Sequence, residues 1–438
     1  MQKVIMTQVC NLIPSQFMNY NKDNKLVKIH EVKNEENDTL FTHIKYVKTL
    51  LDLGEEPEEY YKHYRCVILN TEGKVVGFGI PKSSDYENFK NSNDVQDCIL
   101  EEFVEGTAIQ LFYDKTQKKM FDKKLNTLIP ECEQENNIGW TISTRGSIGA
   151  KNSFYKTENV FDTKNFASMF VECAQEVELD LSKLNKNICY NFVIKHKENR
   201  IVNVIKNNEL YFISGYNIQY DEKTKHYTIN EMDDDETLNI KQFEKIKYPV
   251  KFDSIDQACD WEDFEAMFGF KRESIFNINL STETVIMGFV IKNVKTNEHT
   301  KLKNCTFDTI RELRGNQPKL EYHYLELRKN KKVKEFLHLF PEYNSAFSSY
   351  NTKVVDYTKN LYKNYVDAYI THDKDKEDIS YENKLHLDAI HYIYRTELRG
   401  NNKYVQLNDV IQYVNNLPPQ KLMYSLNYKK RKLTKDLN

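Results

Sequence analysis

The sequence predicts an α+β body built on antiparallel sheets, followed by an all-α C-terminal domain, and three observations carry that expectation. β-rich runs bounded by turn residues recur from Tyr64 to about residue 291. After about residue 306 they give way to apolar residues at helical spacing. Only 13 Gly and 9 Pro occur in 438 residues, too few for collagenous, low-complexity or turn-repeat architectures. A chain this long exceeds one small module, and by length alone it holds roughly two or three domains.

Residues 1–60 combine a short apolar start, a polar stretch over 21–38 and a helical pattern over 40–53, an entry segment expected to pack on the body. The body opens with YRCVILN, a turn at Thr71-Glu72-Gly73, and KVVGFGIPK, two β-rich runs around a glycine turn that read as a hairpin. Further strands are expected over 107–113, 139–144, 188–194, 200–205, 210–216 and 285–291, with helices over 163–177 and 255–267. Beyond residue 306, one apolar helical set runs Val354, Val355, Leu361, Tyr362, Tyr365, Val366, Tyr369. A second runs Leu385, Ile390, Ile393, Tyr394, Leu398, and a third Val410, Ile411, Val414. The charged linker HDKDKEDISYEN separates the first two, and a basic tail covers 429–435. The domain map is therefore 1–60, 61–305 and 306–438, without internal repeats.

Sixty-two Lys and Arg against 65 Asp and Glu leave a net charge of -3, so no global basic field favours nucleic acid and any such site is a local patch. Twenty-nine Tyr and 24 Phe supply the aromatic area that cores need, which excludes wholesale disorder. The eight cysteines are scattered, without C-x-x-C or a Cys/His cluster, as expected of reduced core thiols in an intracellular protein. No apolar run has the length of a membrane span and the N-terminus has no signal-type apolar region; a soluble, cytoplasmic protein without a membrane partner is expected. The acidic run 233–236 reads as a solvated loop.

P-loop, dinucleotide-fold, zincin and nucleophile-elbow motifs are absent from the sequence. Six short blocks stand in order instead: YRCVILNTEGKVVGFGIPK (64–82), FVEGTAI (103–109), ISTRGSIG (142–149), NFVIKHKENRIV (191–202), MGFVIKN (287–293) and TKLKN (300–304). Their order resembles the nucleotidyltransferase domain of ATP-dependent RNA ligases, phage RNA ligase 1-like, over residues 60–305. The downstream RELRGNQPKLEYHYLELRKNKKVKEFL and helical tail look like a giant-virus version of that family. The resemblance implies a ligase or capping-enzyme type fold and, for a viral protein, the host cytoplasm. ATP and magnesium are the cofactors that any retained activity would use.

In that family a Lys-x-acid-Gly motif supplies the amine that attacks the α-phosphate of ATP, a step that needs a neutral lone pair. Aligning Glu105-Gly106 places Phe103 at the lysine position. Counting back from Asn199 places Val193 at a family glutamate, and Met287 stands at a second. Those carboxylates hold ribose and divalent metal through hard oxygens, which Val193 and Met287 lack. Three charged-to-apolar changes at three reactive positions imply a pocket without lysyl-adenylate chemistry and no metal ligands. Ordinary core packing of the three side chains is the plainer alternative.

Other positions match: Arg65 and Lys82 upstream, Arg145 and Ser147 in the TRGS block, and Lys301 and Lys303 in the final Lys-x-Lys. The resemblance makes Arg65, Lys82, Glu105, Arg145, Lys301 and Lys303 nucleotide or phosphate contacts. Glu105 reads equally as a strand-end acid, and Lys301 and Lys303 as a solvated strand face. Lys90 is the candidate for a displaced nucleophile. Residues 301–335 carry ten Lys or Arg against five acids, with Tyr322 and Tyr324 interleaved. Arg311, Arg314, Lys319, Lys329 and Lys332 are accordingly expected to contact RNA phosphates, with stacking on the tyrosines, or else to form a solvated helix face. The leading expectation is a catalytically degenerate RNA-ligase-like protein that binds RNA or a nucleotide end. The alternatives are an active ligase with a displaced nucleophile, and a scaffold that docks a protein partner through the helical domain.

Overall fold

The computed structural model describes residues 7–12, 27–33, 39–47, 61–153, 164–232, 240 and 243–436, and the chain divides into two compact units, the first ending at Thr309 and the second running from Ile310. Residues 274–279 belong to the second unit. Among the described residues, the first unit holds three sheets whose strands pair antiparallel throughout. A six-stranded sheet has the order β1 (Thr7–Leu12), β11 (His226–Glu231), β10 (Glu209–Asp221), β9 (Ile188–Lys195), β7 (Thr107–Tyr113), β8 (Trp140–Thr144). A four-stranded sheet joins β2 (Val27–Lys33), β3 (Thr39–Tyr46), β4 (Val67–Leu69) and β5 (Val75–Phe78). The third joins β13 (His299–Lys303), β12 (Gly288–Asn293) and β6 (Cys98–Glu102). The α+β body with antiparallel sheets and the helices that follow it are as the sequence predicts.

The expected hairpin at 64–82 is β4–β5, closed by a turn in which Asn70 Oδ1 accepts the Glu72 and Lys74 amides and Gly73 takes the left-handed φ of 72°. Helix α1 (Tyr86–Ser92) is capped by Asp85 and buries Phe89 against Leu100, Ile255, Phe264 and Phe289, the core beneath the three-stranded sheet. Helix α2 (Phe166–Glu176) starts at an Asn165 cap and sets Phe170 against Phe192 of β9 at 6.0 Å. Helix α3 is shorter than expected, Trp261–Phe268, because residues 253–257 form a 3₁₀ turn and Asp260 caps the helix at its start.

Three sequence readings are corrected. The helical pattern over 40–53 begins as strand β3: Phe41 and Ile44 mimic helical i, i+3 spacing, but they enter two different cores on opposite faces of a strand paired on both edges. The polar stretch over 21–38 contains strand β2, in which Val27 is buried, Ile29 and Val32 are half-buried and the other four residues are exposed. Residues 200–205 form no strand, because the amides of Val202 and Asn203 are taken by the Glu105 carboxylate. The acidic run 233–236 lies outside the described residues.

In the second unit, α4 (Cys305–Arg314) continues across from the first and leads to α5 (Leu320–Lys329) and α6 (Val333–Leu339). Helix α7 (Asn344–Tyr369) buries Phe347, Val354, Leu361 and Tyr365, with Phe347 stacked on Phe336 at 4.9 Å. Then come α8 (Tyr381–Ile393), α9 (Leu407–Asn416), α10 (Pro419–Leu426) and α11 (Tyr428–Asp436). Among the described residues, no helix is long and apolar enough to cross a membrane.

Between α7 and α8, residues 371–378 are all exposed and hold only a short 3₁₀ turn, Lys376–Asp378. Limited proteolysis of the helical unit should therefore cut first between Tyr369 and Tyr381. Initial cuts within α7 or α8, mapped by mass spectrometry, would contradict this arrangement.

Candidate functional site

Cross-strand register in the three-stranded sheet builds the site. Lys301 pairs with Val290, which pairs with Glu101; Lys303 pairs with Gly288, whose carbonyl accepts the Phe103 amide at 2.9 Å. Residues directly opposite share a face, so His299, Lys301 and Lys303 on β13, Val290 on β12, and Glu101 and Phe103 on or after β6 point the same way. On that face lies a cavity of about 200 Å³. Its apolar wall includes Ile80, Phe103, Val104, Ile109, Phe192, Val193 and Ile213, and three cations line it: Arg65, Arg145 and Lys301.

Each cation is placed by local structure. Arg65 precedes β4 and its Nη1 donates to the carbonyls of Pro81 (3.4 Å) and Ile80 (3.5 Å). Arg145 sits at the tip of the turn after β8, closed by the Thr144 amide on the Ser147 carbonyl at 2.9 Å, with its guanidinium 5.5 Å from the Tyr46 ring centre. The Lys301 amine stands 4.3 Å from the centre of the Phe103 ring. Among the described residues it has no ion-pair partner, and its nearest charges are Arg65, Lys303 and Arg145. Burial first, and those cations second, push its pKa down to about 7. Burial first, then Lys301, Lys292, Arg65 and Lys62, push His299 down to about 3, a neutral ring whose Nε2 is buried without a hydrogen-bond partner among the described residues.

The back of the cavity is polar and is organised by Gln110. Gln110 Oε1 accepts from Cys66 Sγ (3.1 Å) and Ser143 Oγ (3.0 Å), and its Nε2 donates to Cys189 Sγ at 3.3 Å. Cys66 Sγ lies 3.3 Å from His43 Nε2, yet burial raises the thiol to about 11 and lowers the imidazole to about 4, so the pair is neutral and no thiolate forms. Glu102 and Glu101 reach the cavity with Lys195 and Lys251 at 3.8 and 4.0 Å.

The structure brings together only part of the expected set. Phe103, Val193, Arg65, Arg145 and Lys301 line one cavity. Met287 does not; half-buried, it accepts the Asn304 amide at 3.1 Å. Lys303 is exposed and Lys82 half-buried, both off the lining. Glu105 turns away altogether: its Oε1 accepts the amides of Val202 (2.6 Å) and Asn203 (3.1 Å), and its Oε2 accepts from Asn203 Nδ2 (2.5 Å). It joins the second sequence block to the fourth, as does Asn199 Nδ2 donating to Thr107 Oγ1 at 2.8 Å. Gly106, with φ 147°, lets the chain pass Val193 and the Ile194 carbonyl where a Cβ would collide.

Lys90 is on α1, with Glu265 at 2.5 Å and Glu87 at 3.0 Å; the hydrogen bond to Glu265 raises its pKa and removes it as a nucleophile. In the 301–335 stretch, Arg314 is buried with its Nη1 on the Gly315 carbonyl at 3.3 Å, and Tyr324 is buried with its hydroxyl on Asn351 Oδ1 at 3.1 Å. Neither presents a face to RNA, because the apolar side of each helix carries it inward. Arg311 is half-buried and Lys319, Lys329 and Lys332 are exposed. The stretch is also split between the two units. Sequence reasoning missed His299, Glu101 and Gln110; only His299, two residues before Lys301 on a strand, was within reach of a period-two reading.

A magnesium site does not fit these residues. Among the described residues, no group of three His, Cys, Asp or Glu could hold a metal, and the two lining carboxylates already face lysines. A phosphate does fit, since two guanidinium groups and an amine meet in an apolar setting.

No family model and no curated protein matches the chain. Among solved structures it is similar to an archaeal ATP-dependent RNA ligase, at 10% identity and TM-score 0.32, over 74% of this chain and 68% of that one. It is also similar to a putative ATP-dependent DNA ligase from Aquifex aeolicus, at 12% identity and TM-score 0.34, over 88% of each. Likenesses this slight carry no argument about substrate or reaction.

The half-buried Lys301 amine, crowded by cations, makes stability depend on pH in a definite direction. Above about pH 7 the folded chain holds Lys301 neutral, whereas an unfolded lysine keeps its proton to about pH 10.4, so the unfolded state binds more protons between these values. Stability then rises with pH across that window. Denaturant unfolding of Lys301→Met should show its largest gain over the parent at pH 6, narrowing toward pH 10. A pH-independent difference would contradict a lysine whose charged form is disfavoured in the folded chain.

Proposed function

We propose that the cavity is the phosphate pocket of a nucleotidyltransferase-type domain of RNA-ligase lineage, and that it binds a nucleotide or a phosphorylated RNA end without covalent capture. One observation carries the reading: Arg65, Arg145 and Lys301 meet in an apolar cavity with no carboxylate paired to them among the described residues. Arg65 and Lys301, both half-buried, repel each other beside the exposed Arg145, and a phosphate dianion supplies the counter-charge along with acceptors for both guanidiniums. The order of the six blocks supports the lineage, and so does the hydrogen bonding of the second block to the fourth through Glu105 and Asn199.

Loss of capture follows from the residues at the reactive positions. Phe103 has no lone pair, and Val193 offers no oxygen to a metal. Phosphoryl transfer accumulates negative charge on the transferring group, and its stabilisation is mostly positioning and electrostatics. The ligase reading with Lys90 as displaced nucleophile loses its residue to the two glutamates. The scaffold reading would leave the cations of the cavity without a purpose.

Incubation with α-labelled ATP and Mg or Mn should give no protein-bound label that survives denaturation and is released by acid. Titration with a nucleotide should show salt-sensitive binding, weakened about 10- to 100-fold by Arg65→Ala or Arg145→Ala, the range expected for one charged hydrogen bond. A covalent adenylate, or equal affinity of parent and both variants across a salt series, would overturn the reading. Phe103→Lys alone should remain inactive on folded protein, since it adds an amine but no metal ligands. Adenylate formation by this single variant would show that the missing carboxylates are not the obstacle.

A further inference from the structure

Lys301 differs from the other two cations of the cavity. The Lys301 amine is pressed by burial and by three cationic neighbours toward its neutral form, near pH 7, a change of charge that a lysine makes far more readily than a guanidinium. Its Nζ lies over the Phe103 ring, and Val104, Phe192 and Val193 share the lining. The groups around it are Arg65, Arg145, Lys303 and the neutral His299, with Glu101 one strand beyond Val290 in the same cross-strand row and 4.0 Å from Lys251. A desolvated lysine beside fixed cations is the setting in which an amine attacks a carbonyl.

We propose that Lys301 forms an imine with a phosphate-bearing aldehyde, the phosphate resting on Arg65 and Arg145 while the carbonyl carbon meets Nζ. The proposal rests on the phosphate-pocket reading of the cavity. The Nζ lone pair bonds to the carbonyl carbon and the π pair moves to oxygen. The two Nζ protons end on that oxygen, which leaves as water, and the C=N bond replaces C=O. No electrons are lost or gained and no metal is needed, which distinguishes this step from attack on phosphorus. His299 Nε2, partnerless among the described residues, is available to a hydroxyl of the bound molecule. Two sources share the chemistry: an open-chain pentose phosphate, and an abasic position in a nucleic acid, where a sugar aldehyde stands a few bonds from a phosphate.

The full chain is incubated with sodium borohydride and either ribose 5-phosphate or an RNA oligonucleotide bearing a 5′-terminal abasic residue, and adducts are located by intact mass and peptide mapping. A reduced adduct on Lys301 is expected with at least one of the two, and the arm that reacts identifies the source. Lys301→Arg should lose the adduct at least tenfold, Lys303→Arg should keep it, and excess inorganic phosphate should suppress it. Mapping on the parent protein needs no variant to fold. An adduct spread over surface lysines and insensitive to phosphate overturns the proposal, as does no adduct in either arm. If nucleotide binding persists without an adduct, only the imine is refuted. If nucleotide binding is absent as well, the phosphate pocket falls with it.

Discussion

Antiparallel pairing of β13, β12 and β6 is the constraint from which the site follows. It sets Lys301, Val290 and Glu101 in one row, and Lys303, Gly288 and Phe103 in the next. Once that register is formed, Lys301 can only project over Phe103 into the cavity, however unfavourable its desolvation. Gly288, with φ 142°, permits the close approach to the Leu302 carbonyl that the register requires. A slip of one residue would exchange the two faces and turn Lys301 away from the cavity.

The chemistry of the cavity has a consistent direction. Positions where catalytic charge would be expected carry Phe103 and Val193, while the cations that would face a phosphate remain. Apolar side chains at these two positions avoid the cost of burying charge beside the cavity. Arg65, Arg145 and Lys301 line the same cavity, where an anion would ease the repulsion between the half-buried Arg65 and Lys301.

Much of this was legible in the sequence and some was not, for physical reasons. The hairpin at 64–82 was readable because its turn and its β-rich runs are local. Period two on TKLKN marked Lys301 and Lys303, but not which would be enclosed; Lys303 stands beside Gly288 at the strand end and stays in solvent. Glu105 was placed near the chemistry by its motif, yet the amides at 202 and 203 claim it, a contact 97 residues away in sequence that no local pattern reveals. Arg314 and Tyr324 looked like RNA contacts because composition counts charges and rings without regard to helix face. Phe41 and Ile44 imitated a helix because two cores lie on opposite sides of one interior strand.

The central claim is that Lys301 is a half-buried, cation-crowded amine that an anion would stabilise, and its own titration tests that most directly. In lysine-labelled protein, with Lys301 assigned by its loss in Lys301→Arg, heteronuclear NMR should follow the amine through pH. The account predicts a midpoint near 7 in phosphate-free buffer that moves upward when a nucleotide or inorganic phosphate is added. A midpoint at the ordinary lysine value of about 10.4, unmoved by either anion, would contradict it.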